Sequence, residues 1–133
     1  MTTFVVGAGS VHASAALCDY LDGRLDDGDT VHAAAWVAGA GAEATRDAAD
    51  ALNGVRSRLG VRASVETHRL GGEKEDGDGA TGADDVGTAL LPLAERTDAD
   101  ELVVGSGADG LAPEDVADLV AGTTRPVVAV PLG

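Results

Sequence analysis

Residues 101–122 read Glu-Leu-Val-Val-Gly-Ser-Gly-Ala-Asp-Gly-Leu-Ala-Pro-Glu-Asp-Val-Ala-Asp-Leu-Val-Ala-Gly, and they decide the fold class. Leu102, Val103 and Val104 form a short continuous apolar run, the signature of a strand buried on both faces. A glycine-rich loop, 105–113, follows. Pro113 then stands at the favoured first position of a helix, with Val116, Leu119 and Val120 spaced to face inward and Gly122 just past the end. A strand, a glycine loop and a helix in that order make half of a βαβ unit.

The same alternation repeats outward from this segment. Strands are expected at 3–7, 30–38, 61–69, 101–105 and 126–131. The stretch 61–69 alternates apolar and polar residues, which places it at or near a sheet edge. Helical spacing joins Leu17, Tyr20, Leu21 and Leu25 behind Ser10 as N-cap. It joins Ala44, Ala48, Leu52, Val55 and Leu59 ahead of Gly60, and then Val86, Leu90, Leu93 and Ala94. Pro92 lies inside this third helix and should kink it or shift its start. The order β-α-β-α-β-α-β-α-β predicts a five-stranded parallel sheet in a doubly wound α/β/α sandwich, a single domain over 1–133. Ligands of such folds bind beyond the carboxyl ends of the strands at the switch point. Attention therefore falls on the loops at 7–10 and 105–113.

Residues 71–85 break the pattern. They hold five Gly and six carboxylates and nothing apolar larger than Ala, so a flexible acidic loop is expected there.

Charge and cysteine content narrow the class further. The chain of 133 residues carries 23 Asp and Glu against 9 Lys and Arg, a formal net charge of −14, with 44% hydrophobic residues. That apolar fraction implies an ordered core under an acidic surface. Self-repulsion of such a surface is relieved by salt, since the Debye length falls to about 3 Å at 1 M. The composition thus points to a halophile-like, high-salt cytoplasm. With no basic patch to meet phosphates, nucleic acid is not an expected partner. No apolar stretch approaches a membrane span, and no basic-then-apolar leader opens the chain, so neither membrane insertion nor a signal peptide is expected. The lone Cys18 excludes an internal disulfide and falls beside the apolar face of the first helix, as a core residue would.

Several chemistries fail on the residues. Gly105-Ser106-Gly107-Ala108-Asp109-Gly110 fits G-x-G-x-x-G, but it follows the fourth strand, and no acidic residue stands about 20 positions on to hold a ribose. Gly7-Ala8-Gly9-Ser10 lacks the third glycine, and the strand ending near Ala38 offers no acid. A phosphorelay receiver needs carboxylates after the first strand, where there are none. No G-x-S-x-G elbow exists, and Ser10 and His12 have no evident carboxylate partner. His12, His32 and His68 fall in different elements without ligand spacing, so the latter two are expected to be structural and no metal site is expected. Trp36 is expected to pack under the second helix or to line an adenine pocket.

The whole chain resembles the universal stress protein (UspA-like) family. Phe4-Val-Val-Gly-Ala-Gly-Ser-Val-His-Ala-Ser-Ala-Ala-Leu17 is similar to the family's first strand, Asp-Gly-Ser turn and first helix. Residues 99–110 (ADELVVGSGADG) resemble its fourth strand, and 123–131 (TTRPVVAVP) its closing strand. The resemblance implies a Rossmann-like sandwich of the adenine nucleotide alpha hydrolase type, and a homodimer joined partly through the last strand. It implies a nucleotide site at Gly9, Ser10, Val37, Gly105, Ser106, Gly107 and Gly110.

The sequence departs from the family's ATP-binding branch at three places. Ala8 stands where that branch carries Asp, and Ala108 stands at the second glycine of G-x2-G-x9-G-(S/T). Pro113-Glu114 replaces the closing Gly-Ser, at the end of a segment five residues shorter than the motif. Pro113 removes an N–H from the helix start, while Glu114 and Asp115 occupy the positive end of the dipole. The expectation is a non-enzymatic stress-response or regulatory protein with lost or weakened ATP binding and no required cofactor, weak ATP or AMP binding aside. It would act as a homodimer on a protein partner. The alternative is an adenine-nucleotide-binding switch with slow ATPase activity.

Overall fold

Side-chain alternation along the central strands builds two cores. In the computed structural model, which describes residues 1–7, 11–37, 42–71, 86–107, 111 and 113–132, the strands are β1 (Thr3–Gly7), β2 (Thr30–Val37), β3 (Ser64–Gly71), β4 (Glu101–Gly107) and β5 (Val127–Leu132). The helices are α1 (Val11–Asp22), α2 (Ala42–Leu59), α3 (Val86–Thr97) and α4 (Pro113–Gly122). Successive strand residues point to opposite faces. Phe4, Val6, Val31, Ala33 and Val103 accordingly face one way and pack with Leu17 and Leu21 of α1 and Leu52, Val55 and Leu59 of α2. Val5, Ala34, Leu102 and Val104 face the other way and pack with Leu90 and Leu93 of α3 and Leu119 of α4. Each buried Leu contributes roughly 1.5–3 kcal/mol of transfer free energy.

All strand pairs are parallel, in the order β3-β2-β1-β4-β5. The chain runs outward from β1 to β3 and then crosses back to β4. The crevice between β1 and β4 is therefore the switch point, where Gly7 pairs with Val104. The expected five-stranded parallel α/β fold and the edge position of β3 are both observed.

At the amino ends of the strands, side chains replace missing backbone partners. The buried Asp29 takes the Thr2 N–H on Oδ1 at 2.8 Å and the Asp26 N–H on Oδ2 at 2.8 Å. Its backbone carbonyl accepts the Ser64 N–H, so one residue links the starts of β1, β2 and β3. Asp100 grips Thr3 from the other side through Oδ2 and its own N–H. Helix α3 ends in a Schellman arrangement: Ala99 N–H bonds to Ala94 O and Asp98 N–H to Glu95 O. Asp98 adopts φ 53° there, a position that usually falls to glycine, and its carboxylate pairs with Arg125 at 3.2 Å.

Five boundaries or orientations differ from the sequence expectation. β3 begins at Ser64, not 61, because Arg62 and Ala63 donate to Leu59 O and close the end of α2; Val61 is left exposed. α1 ends at Asp22, and Leu25 reaches the core from the following turn, where its N–H bonds Leu21 O. α3 starts at Val86 and continues through Pro92, so the proline does not reset its start. Val120 lies on the outer side of α4 and is exposed, whereas Leu119 is fully buried. β4 continues two residues past Gly105, so Gly105, Ser106 and Gly107 belong to the strand rather than to the loop after it. Of the acidic segment, Gly71 ends β3 and 72–85 lie outside the described residues.

Candidate functional site

The carboxyl end of β4 is built from backbone. Gly105 pairs with Val130, Ser106 with Pro131 and Gly107 with Leu132 of β5. The chain then folds back on itself. Leu111 N–H donates to Gly105 O at 2.8 Å, Gly107 N–H donates to Leu111 O at 3.2 Å, and Leu111 bridges Ser106. Leu111 is buried with Leu90 and Leu119, which anchors this closure in the α3–α4 core. Gly107 makes the reversal at φ 116°, a conformation open to glycine and strained for other residues.

This closure bears on anion binding. The Gly107 N–H is a donor that a phosphate would need, and it is already engaged with Leu111 O. Ser106 is half-buried and Gly107 exposed, two and three residues beyond the Gly7–Val104 pair. Helix α4 then opens with Pro113, Glu114 and Asp115, placing two carboxylates at the partial positive charge of its first turn. Of the other residues assigned to a nucleotide, Val37 ends β2 and pairs with Gly71. Gly9, Ser10 and Gly110 lie outside the described residues, as do Ala8 and Ala108.

A second constellation arises where no cluster was expected. Parallel pairing sets His32 opposite Glu66 and Ala34 opposite His68. His32 therefore shares a sheet face with Ala34, which packs in the α3–α4 core, while Glu66 and His68 turn the same way from β3. His32 Nδ1 lies 3.2 Å from His68 Nε2 and 4.0 Å from Glu66 Oε1. The two rings are tilted by 40° with centroids 5.4 Å apart. One imidazole donates to the other, so at least one ring is neutral in this arrangement. Burial holds His68 below its ordinary pKa of 6.5; proximity to His32 and to Arg96 of α3 pushes the same way, and Glu66 opposes. The two histidines expected to be separate structural residues are thus joined. The i, i+2 spacing of Glu66 and His68 on one strand was the legible part; the partnering with His32 depends on register.

Cys18 is fully buried, and burial pushes its thiol pKa up, which makes it inert packing in the core. Among the described residues no helix is long and apolar enough to cross a membrane.

No protein-family model matches the sequence, and no curated protein matches it. Solved structures do. A universal stress protein from Archaeoglobus fulgidus superposes with TM-score 0.60 at 18% identity, covering 98% of both chains. A universal stress protein in complex with cAMP gives TM-score 0.63 at 16% identity, over 99% of this chain and 98% of that one. The Archaeoglobus fulgidus protein in complex with dAMP gives 0.58 at 18% identity, over 98% of each. The TM-scores and the nearly full mutual coverage agree: this chain has the fold of the universal stress proteins.

Proposed function

We propose that this chain is a universal stress protein-like regulatory protein, non-enzymatic, in which ATP binding at the β1–β4 crevice is weakened or lost. The observation that carries this reading is the closure after β4. The Gly107 N–H is spent on Leu111 O, and the next helix begins with a proline and two carboxylates. A triphosphate entering there meets like charge and an occupied donor, where a helix N-terminus ordinarily offers free N–H groups. The protein would work in a high-salt cytoplasm, where its net charge of −14 is screened. It would act as a homodimer partly through the outer edge of β5, which among the described residues pairs on one side alone, with β4. Pro131 removes one donor from that strand and so narrows the register in which a second copy can pair.

The alternative, an adenine-nucleotide switch with slow ATPase activity, is favoured by one observation. Two structures of the same fold are described as complexes with cAMP and dAMP, each with a single phosphate. A monophosphate asks less of the loop than ATP does.

Calorimetry of ATP, ADP, AMP and cAMP in about 2 M KCl, where surface charge is screened, separates the two. The expected result is no measurable ATP binding. Micromolar ATP affinity would overturn the proposal. Ser106→Asp is the companion variant, because it adds charge at the crevice without asking a side chain to adopt the φ of Gly107. Sizing at the same salt is expected to give a dimer, and a stable monomer would remove the assembly part.

A further inference from the structure

We infer that His32, Glu66 and His68 form a binding site for a divalent transition metal of the Zn2+ class, on the α3 face of the β2–β3 edge. Three features carry this. The first is the donor set: two imidazoles and a carboxylate suit a borderline cation such as Zn2+, whereas Mg2+ and Ca2+ favour oxygen ligands alone. The second is spacing. Two nitrogens each about 2.05 Å from a tetrahedral Zn2+ stand roughly 3.3 Å apart. His32 Nδ1 and His68 Nε2 stand 3.2 Å apart.

The third is how the ligands are held. His32 sits on the inner strand β2 with a side chain only 12% exposed, so its ring is fixed by packing. Glu66 is 64% exposed and lies 4.0 Å from His32 Nδ1, so a change of its own rotamer closes the remaining gap without moving the backbone. All three ligand atoms already lie within 4.8 Å of one another. Water from the open edge completes the coordination. Arg96 on α3 is near enough to His68 to oppose a positive charge there.

The site is distinct from the nucleotide crevice. The separation is lateral: His68 lies in the row of Ala34, Gly7 and Val104 but on the edge strand β3, two strands and about 10 Å from β1 at the usual strand spacing. The site also joins the edge strand β3 to the body of the sheet. Metal binding there is expected to tighten that edge, whether or not the crevice holds a nucleotide.

The test is a titration of the full chain with Zn2+ and with Co2+, in KCl and excess Mg2+ so that the acidic surface is already neutralised. Expected are one saturable Zn2+ per chain, a Co2+ visible spectrum of low coordination number, and a melting temperature raised by Zn2+. His68→Gln and Glu66→Gln should each weaken Zn2+ roughly tenfold or more and abolish the thermal shift. His68 lies on the edge strand, so its variant tests the site even where His32→Gln fails to fold. Three results would overturn the inference: no saturable stoichiometric binding, a Co2+ spectrum unchanged from the aqua ion, or Zn2+ affinity retained in His68→Gln.

Discussion

The two ends of the sheet are held by different means. At the amino ends, side chains do the work: Asp29 and Asp100 clamp the start of β1. At the carboxyl ends described here, backbone does it: Gly105, Gly107 and Leu111 close a loop by main-chain bonds, turned by a glycine at φ 116°. Side-chain clamps fix strand starts in one arrangement and add stability. A glycine-built end adds little stability, yet it brings bare backbone to the crevice where ligands of this fold class bind. Side-chain clamping is thus concentrated at one end of the strands and main-chain closure at the other.

The strongest way to break this comparison is at Asp29. Asp29→Ala leaves the N–H groups of Thr2 and Asp26 without their charged acceptor and should cost about 3 kcal/mol in denaturant unfolding, since hydrogen bonds to charged groups contribute roughly 1.5–3 kcal/mol each. A loss below about 1 kcal/mol would show that water replaces the clamp readily.

The clamp also has a pH signature. The Asp26 N–H, then the Thr2 N–H and the nearby α-amino charge, hold Asp29 below its ordinary pKa of 3.8, against the opposing effect of burial. A lowered folded-state pKa means the stabilisation is fully present above pH 3.8 and is lost as pH falls through the folded-state value. The stability gap between the natural chain and Asp29→Asn should therefore be flat from neutral pH down to about 4 and shrink below it. A gap that is flat throughout would remove the carboxylate from the account.

The carboxyl end is tested by Gly107→Ala. Forcing a Cβ into φ 116° should cost about 1–2 kcal/mol of stability, measured by urea unfolding. If the loss is negligible, the closure onto Leu111 is soft enough to open for a ligand. The smallest effect is expected at Asp100→Ala, about 1 kcal/mol or less, because its bond to Thr3 is solvent-exposed. An effect equal to that of Asp29→Ala would mean that burial does not separate the two clamps.

Legibility followed the range of the interaction. Each strand was legible in local pattern, as a continuous apolar run at Leu102–Val104 and as alternation along β3, whose start alone was misplaced by three residues. The orientation of Val120 was not, since helical spacing places it one step from Leu119 and only the position of α4 against the sheet decides which of the two is covered. Gly105, Ser106 and Gly107 were expected at a nucleotide on their glycine spacing, but that spacing could not show that the Gly107 N–H donates to Leu111 O.

The sequence by itself determined the α/β class, the parallel sheet, the edge position of β3 and the acidic opening of α4. These follow from periodicity, charge and proline placement, all of which are local along the chain. Tertiary structure alone decided two things. It folded Leu111 back onto β4, because burying that side chain in the α3–α4 core pulls its backbone against Gly105 and Gly107. It also brought His32 to His68, residues 36 apart in the chain, because parallel strands joined by a helix acquire their register only when both pack on the same sheet.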